Sequence, residues 1–226
     1  MTMKSWCMDM KVDAKTVICF DLDDTLYNEI DFLKSAYKEI AKHIVDEKWE
    51  FLYAKMLSLY RKSENVFEFL TSNYPISIDI LLNIYRNHIP KIEPFKGVFS
   101  LLNAIKKANG SICIITDGRS LTQRNKLKAL GIIDLFDTII ISEEIGTEKP
   151  NINNYKTIED KFPNCTYTYI ADNFKKDFII PNQRYWNSIG IIDNGLNIHN
   201  NCFDYQSKKN IPKQLVAKID CIQIVK

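Results

Sequence analysis

Thr16-Val17-Ile18-Cys19-Phe20-Asp21-Leu22-Asp23-Asp24-Thr25 is the stretch on which the reading of this chain turns. Its first half is a short apolar run rich in β-branched residues, the pattern of a parallel strand buried on both faces. The run stops abruptly at Asp21. In open parallel sheets ligands bind just beyond the carboxyl ends of the strands. A strand ending in Asp21, Asp23 and Asp24 therefore carries its carboxylates to the edge where chemistry takes place.

Downstream the period changes. Phe32, Leu33, Ala36, Tyr37, Ile40, Ile44 and Val45 recur at three- and four-residue steps and form one apolar stripe. Similar stripes at 49–60, 66–70 and 78–85 predict four helices with no strand among them. Ile89-Pro90-Lys91-Ile92-Glu93-Pro94 closes the segment as a linker. Strands and helices then alternate. Strands are expected at 111–116, 138–142, 166–171 and 188–192, and helices at 98–108, 121–130, 152–161 and 174–180. Alternation of this kind implies a parallel sheet with right-handed crossovers. The fold class is α/β, a Rossmann-like parallel sheet flanked by helices, with a small four-helix insertion. Residues 1–29 and 92–226 form the core and 30–91 the insertion. Beyond Gly195 the pattern weakens, and the expectation is a short helix at 212–219 and an edge strand at 222–225.

Composition sets outer limits. The chain has 226 residues, 46% hydrophobic and 26% charged, which suits one α/β domain with an insertion. A net charge of +2 is too small for a nucleic-acid groove. No apolar stretch approaches the ~20 residues needed to cross a bilayer. Residues 1–15 lack the apolar core of a signal peptide. The six cysteines show no CxxC spacing, and Cys19 and Cys113 lie inside apolar runs. A reduced, cytoplasmic protein with no membrane or nucleic-acid partner is the simplest expectation; its oligomeric state is not legible.

Four strand ends deliver polar groups to one edge: Asp21 and Asp23, Thr116 and Asp117, the Glu148-Lys149-Pro150 loop, and Asp172. Each alone has a structural explanation, since Asp and Thr commonly turn the chain or cap a helix. Their conjunction is harder to assign to structure alone. In order and spacing, Asp21-Leu22-Asp23-Asp24-Thr25, Ile114-Ile115-Thr116-Asp117, Lys149-Pro150 and Asp172 with Asp177 resemble the four motifs of the haloacid dehalogenase-like (HAD) superfamily. The resemblance runs from about Val17 to Ile192, and the helical insertion looks like that family's C1-type cap. One departure is Ala171, where the family often has glycine.

The resemblance implies a phosphohydrolase in which Asp21 attacks phosphorus and an aspartyl-phosphate is later cleaved by water. It implies Mg²⁺, a hard cation suited to oxygen ligands, held by the side chains of Asp21 and Asp172 and the backbone carbonyl of Asp23. Asp23 would protonate the leaving alkoxide and then activate water. Members of that family acting on carbon–halogen bonds lack an acid two residues after the nucleophile, so with Asp23 present the resemblance implies phosphate esters. Thr116 and the N–H groups of Leu22, Asp23, Asp117 and Gly118 would bind phosphoryl oxygens. Lys149 would serve both nucleophile and phosphate, Asp177 would orient Lys149 or the metal's water shell, and Thr25 would stabilise the turn. A small phosphorylated metabolite, a sugar phosphate or nucleotide, is the expected substrate; a phosphomutase or a non-catalytic regulatory module are the alternatives. Arg119 is the expected specificity residue on the core side, and His43 and His199 have no identifiable partner.

Overall fold

The computed structural model describes residues 7–225. In chain order its strands are β1 (Met8–Lys11), β2 (Thr16–Phe20), β3 (Ser111–Thr116), β4 (Thr138–Ile141), β5 (Thr166–Ala171), β6 (Asn187–Ile191), β7 (Gln214–Val216) and β8 (Ile222–Val225). Its α-helices are α1 (Glu29–Ile44), α2 (Trp49–Arg61), α3 (Val66–Asn73), α4 (Ile78–Asn87), α5 (Val98–Lys107), α6 (Ser120–Ala129), α7 (Ser142–Ile145), α8 (Ile152–Lys161) and α9 (Ile179–Gln183). The main sheet is parallel throughout, in the order β4-β3-β2-β5-β6-β7.

β2 is wholly buried because both faces of the sheet are covered. With a side-chain period of two, Ile18 and Phe20 join one apolar layer with Leu101, Leu102 and Ile105 of α5 and Leu127 of α6. Val17 and Cys19 join the other, with Tyr155 and Ile158 of α8, Phe178 and Trp186. Each such fully buried aliphatic side chain contributes about 1.5–3 kcal/mol. β2 pairs with β3 on one side and β5 on the other, so Phe20 lies opposite both Ile114 and Ile170. That register brings the residues following all three strands to one edge.

The four helices α1–α4 have a core of their own, built on Leu33, Ile40, Met56, Leu59, Leu70 and Leu81. They rest on the sheet domain through α4, where the Thr122 hydroxyl donates to the Arg86 carbonyl at 2.9 Å. Among the described residues no helix is long and apolar enough to cross a membrane.

Three expectations need correction. The helix expected at 212–219 is β7 followed by a single 3-10 turn at Ile219–Cys221. Pro212 has no N–H to give, and Gly190 on β6 lets Leu215 approach to where a Cβ would meet it at 2.7 Å. The strand at 222–225 forms, but it pairs with β1 in a separate two-stranded sheet, and β1 went unread. The helix expected at 174–180 begins only at Ile179, because residues 173–177 are drawn into a turn closed by the Asp177 N–H on the Asn173 carbonyl at 2.9 Å. Gly97, φ +95°, opens α5 where any Cβ would sit 2.8 Å from the Asp220 Cα.

Candidate active site

Asp21 still belongs to the sheet, its N–H donating to the Ile170 carbonyl at 2.9 Å. The chain then coils, with the Leu26 N–H on the Leu22 carbonyl at 3.0 Å. Asp24 adopts a left-handed conformation, φ 54°. Its carboxylate accepts from the Glu29 N–H at 2.8 Å and the Ile198 N–H at 2.9 Å, so one side chain caps α1 and anchors the tail. This turn aims the Asp21 and Asp23 side chains at different partners.

Asp21 Oδ1 accepts a hydrogen bond from Lys149 Nζ at 2.6 Å. The same ammonium donates to the Tyr169 hydroxyl at 3.2 Å and lies 2.8 Å from Asp177 Oδ1. That last contact is off the hydrogen-bond direction, leaving Asp177 Oδ1 a buried oxygen with electrostatic contact and no hydrogen bond. Its sister oxygen accepts from the Asn173 N–H at 3.1 Å. Asp172 completes the group, accepting from Asn197 Nδ2 at 2.9 Å and more loosely from the Thr25 hydroxyl at 3.4 Å. Thr25 therefore braces a carboxylate besides shaping the turn, and Asn197 is a participant that sequence reading missed. Burial, reinforced by Asp177, pushes the Asp21 carboxyl up to about 7 despite Lys149. Burial and the neighbouring carboxylates push Asp172 well above its ordinary value. One lysine does not balance three carboxylates here.

Asp23 points the other way. Its Oδ1 accepts from Lys126 Nζ at 2.7 Å and from the Tyr27 hydroxyl, and its Oδ2 from Gln123 Nε2 at 2.9 Å. Burial alone would raise this carboxyl, but Lys126 and the other two donors outweigh it and hold Asp23 below the usual range. Gln123 also donates to the Thr116 hydroxyl at 2.7 Å, linking two motif residues. Lys126, buried at 4% side-chain exposure, sits over the Phe32 ring of α1 at 4.4 Å. Neither α6 residue was anticipated. The available signal was a helix carrying polar Thr122, Gln123 and Lys126 on the buried face that ends in Leu127, while Leu121 is 55% exposed.

Asp117 accepts from the Lys149 N–H at 3.0 Å and from Lys176 Nζ at 2.6 Å; burial opposes and the lysines prevail, holding its carboxyl low. The Gly118 N–H, expected to face phosphate, donates instead to Ser142 Oγ at 2.8 Å. A cavity of about 280 Å³ is lined by Asp21, Asp23, Thr116, Asp117 and Asp172, together with Asp24, Glu29, Glu148, Asn173, Lys176 and His199. A second cavity of about 520 Å³ shares Asp23, Glu29, Asp117 and Gly118 with it and runs under the inserted helices, past Phe32, Tyr37, Phe67, Tyr85, Arg86 and Arg119. Burial raises Glu29, at the junction, to about 8, and holds the His199 imidazole below its ordinary value with help from Lys176.

The donor set fits a hard divalent cation. Asp21, Asp172 and Asp177 each offer a carboxylate oxygen within 4.8 Å of the others, all three are buried, and one oxygen is orphaned. The fold and site thus define a doubly wound α/β protein with an acidic, lysine-braced centre at the carboxyl edge of its sheet. Residues 18–178 match the model of the haloacid dehalogenase-like hydrolase family, and the chain belongs to it. Among its relatives is a glyceraldehyde 3-phosphate phosphatase of Methanocaldococcus jannaschii, 30% identical over 156 residues that cover 62% of this chain and 67% of that protein. The pyrimidine 5'-nucleotidase YjjG of Escherichia coli is 50% identical over 58 residues, 26% of this chain and 25% of that protein. In overall fold the chain is similar to the HAD-hydrolase YfnB of Bacillus subtilis, whose structure is bound to magnesium. The TM-score is 0.62, with 17% identity and coverage of 92% of this chain and 96% of that one.

Proposed function

We propose that this protein is a magnesium-dependent phosphatase of a small phosphorylated metabolite, with Asp21 as nucleophile. The observation that carries this reading is the convergence of Asp21, Asp23, Thr116 and Asp172, from the ends of three adjacent strands, on one cavity of about 280 Å³. The substrate class is supported by relatives that act on a triose phosphate and on pyrimidine nucleotides.

Mg²⁺ would be held by the carboxylates of Asp21 and Asp172 and the carbonyl of Asp23, with Asp177 close enough to take part directly or through a water. When bound, it neutralises carboxylate and phosphate charge that would otherwise repel. Lys149 fixes the Asp21 rotamer, leaving the other carboxylate oxygen to attack phosphorus in line. The Thr116 hydroxyl donates to a phosphoryl oxygen while accepting from Gln123. Asp23 is ionised before substrate arrives, so it acts first as the acceptor that Lys126, Gln123 and Tyr27 orient. A phosphate dianion beside it would raise its proton affinity, so that Asp23 takes up a proton from solvent as substrate binds, passes it to the leaving alkoxide, then takes one from the hydrolytic water and returns it to solvent as product leaves.

Residues 30–91 act as a cap, with 1–29 and 92–226 as the core, and the leaving group lies in the larger cavity between them. The test is phosphate release from an aryl phosphate, then from triose phosphates and pyrimidine nucleoside monophosphates, with and without Mg²⁺. Asp21→Asn should abolish release by at least about a thousandfold. Activity surviving in that variant refutes the assignment of the nucleophile.

A further inference from the structure

We propose that Cys7 and Cys221 form a thiol–disulfide site, closed by a small disulfide of the glutathione type, that staples the two ends of the chain together. The site stands apart from the cavities described above, and neither cysteine lines them.

Strand pairing brings the two residues together. β1 and β8 run parallel, with Met8 opposite Ile222 and Lys11 opposite Val225. Carrying that register back one residue sets Cys7 beside Cys221. Side chains alternate faces along a strand. Met8 and Met10 turn toward the core while Asp9 and Lys11 are exposed, so Cys7 falls on the outer face, where it is exposed as well. Cys221 is fixed from the other side, since its N–H donates to the Lys218 carbonyl at 3.0 Å and its side chain is buried. Burial, together with the Cys7 thiol in hydrogen-bonding contact, pushes the Cys221 thiol up. Neighbouring strands lie about 4.8 Å apart. That is inside the span of about 4.4–6.8 Å that a disulfide bridges between Cα atoms. The pair can therefore close by side-chain rotation without the strands parting.

A second pair supplies the contrast. Cys19 and Cys113 are register partners on β2 and β3, but both are 0% exposed, and burial pushes the Cys19 thiol well up. No dissolved oxidant reaches them. Exposure of one member, rather than proximity alone, singles out Cys7 and Cys221. Cys7, as thiolate, attacks one sulfur of the small disulfide, and the first small thiol leaves with the proton that Cys7 gave up. Cys221 then attacks Cys7 Sγ and expels the second small thiol, which takes the Cys221 proton. Two protein thiols have lost two electrons, and the small disulfide has been reduced to two thiols. The bond closes a loop of nearly the whole chain, which restricts the unfolded state most.

The test is incubation of the folded wild type with oxidised glutathione, followed by alkylation, trypsin digestion and mass spectrometry, with melting curves alongside. Peptides 5–11 and 219–226 should be recovered linked, while Cys19 and Cys113 are alkylated as free thiols after unfolding. The linked form should melt at least about 4 °C higher, and dithiothreitol should reverse the gain. Cys7→Ser should melt like the reduced wild type and show no gain on oxidation. In Cys221→Ala, Cys7 should stop as the mixed disulfide with glutathione. Wild-type Cys7 that also stops as the mixed disulfide, with Cys221 free, overturns the proposal. So does a Cys7–Cys221 link that forms only in urea, or a link of either residue to Cys165 or Cys202 in its place. Phosphate release at 25 °C should be the same in both redox forms; a loss on oxidation that Cys7→Ser prevents would refute the separation of this site from the catalytic one.

Discussion

Lys126→Met gives the sharpest perturbation of the site because it removes charge and leaves shape. The thioether retains most of the stem that lies on Phe32. What is lost is the cation 2.7 Å from Asp23. Removing one member of a buried pair costs about 3–5 kcal/mol when the survivor stays charged and unpaired. Asp23 keeps two donors, Gln123 and Tyr27, and its side chain is 19% exposed to the cavity, so the cost here is about 2 kcal/mol. For a chain of this size that lowers Tm by about 4–8 °C.

The pH dependence carries the proof. In the wild type the folded value of Asp23 lies below its unfolded one, a contribution present above the unfolded pKa and lost as pH falls through the folded value. Without Lys126 burial dominates, the folded value rises above the unfolded one, and the ionised carboxylate opposes folding at neutral pH. The deficit should therefore be full near about pH 7.5 and shrink toward about pH 4. Differential scanning calorimetry across that range reads it directly, and Asp23→Asn in the Lys126→Met background should recover part of the loss. A deficit independent of pH, with no recovery in the double variant, would refute the assignment of the penalty to Asp23.

Chelation should abolish phosphate release from the wild type and Mg²⁺ should restore it, with Ca²⁺ much less effective because it prefers a larger shell; activity indifferent to chelator would remove the cation from the site. Gly97→Ala should cost at least about 2 kcal/mol, read as a lower urea midpoint at unchanged slope, since it combines a left-handed φ with a 2.8 Å approach to the Asp220 backbone. Tyr85→Ala removes the ring of α4 that meets Phe32 of α1 and Phe67 of α3 edge-on. It should lower kcat/KM for a pyrimidine nucleoside monophosphate about tenfold more than for a triose phosphate; an unchanged ratio places the leaving group elsewhere.

The strands that carry chemistry were legible because each is a continuous apolar run covered on both faces, and such runs end where burial ends. Asp21, Thr116 and Asp172 were found in this way, without reference to contacts. β7 and β8 were harder. Gln214 and Leu215 are exposed, and Gln223 points outward, so neither strand shows the unbroken apolar run of the central ones. The braces of the site were illegible for a different reason. Gln123, Lys126, Asn197 and Lys176 act on carboxylates 2.6 to 2.9 Å away in space but 25 to 103 residues away in sequence, and each is a residue type that ordinarily faces water. Only the fold reveals that Lys126 is buried or that Lys149 lies between Asp21, Tyr169 and Asp177.

Asn197 and Ile198 have a consequence for synthesis. Asp21 and Asp24 leave the ribosome early, yet Asp172 receives its brace from Asn197, and Asp24 its second partner from Ile198. β1 waits longer still, for Met8 pairs with Ile222. Contacts so distant in sequence close last and slowly. A nascent chain halted near residue 190 would hold all four motifs and its cap. It would still leave Asp172 without Asn197, Asp24 without Ile198 and the first strand unpaired, which makes completion of the tail the step that converts an assembled sheet into a finished site.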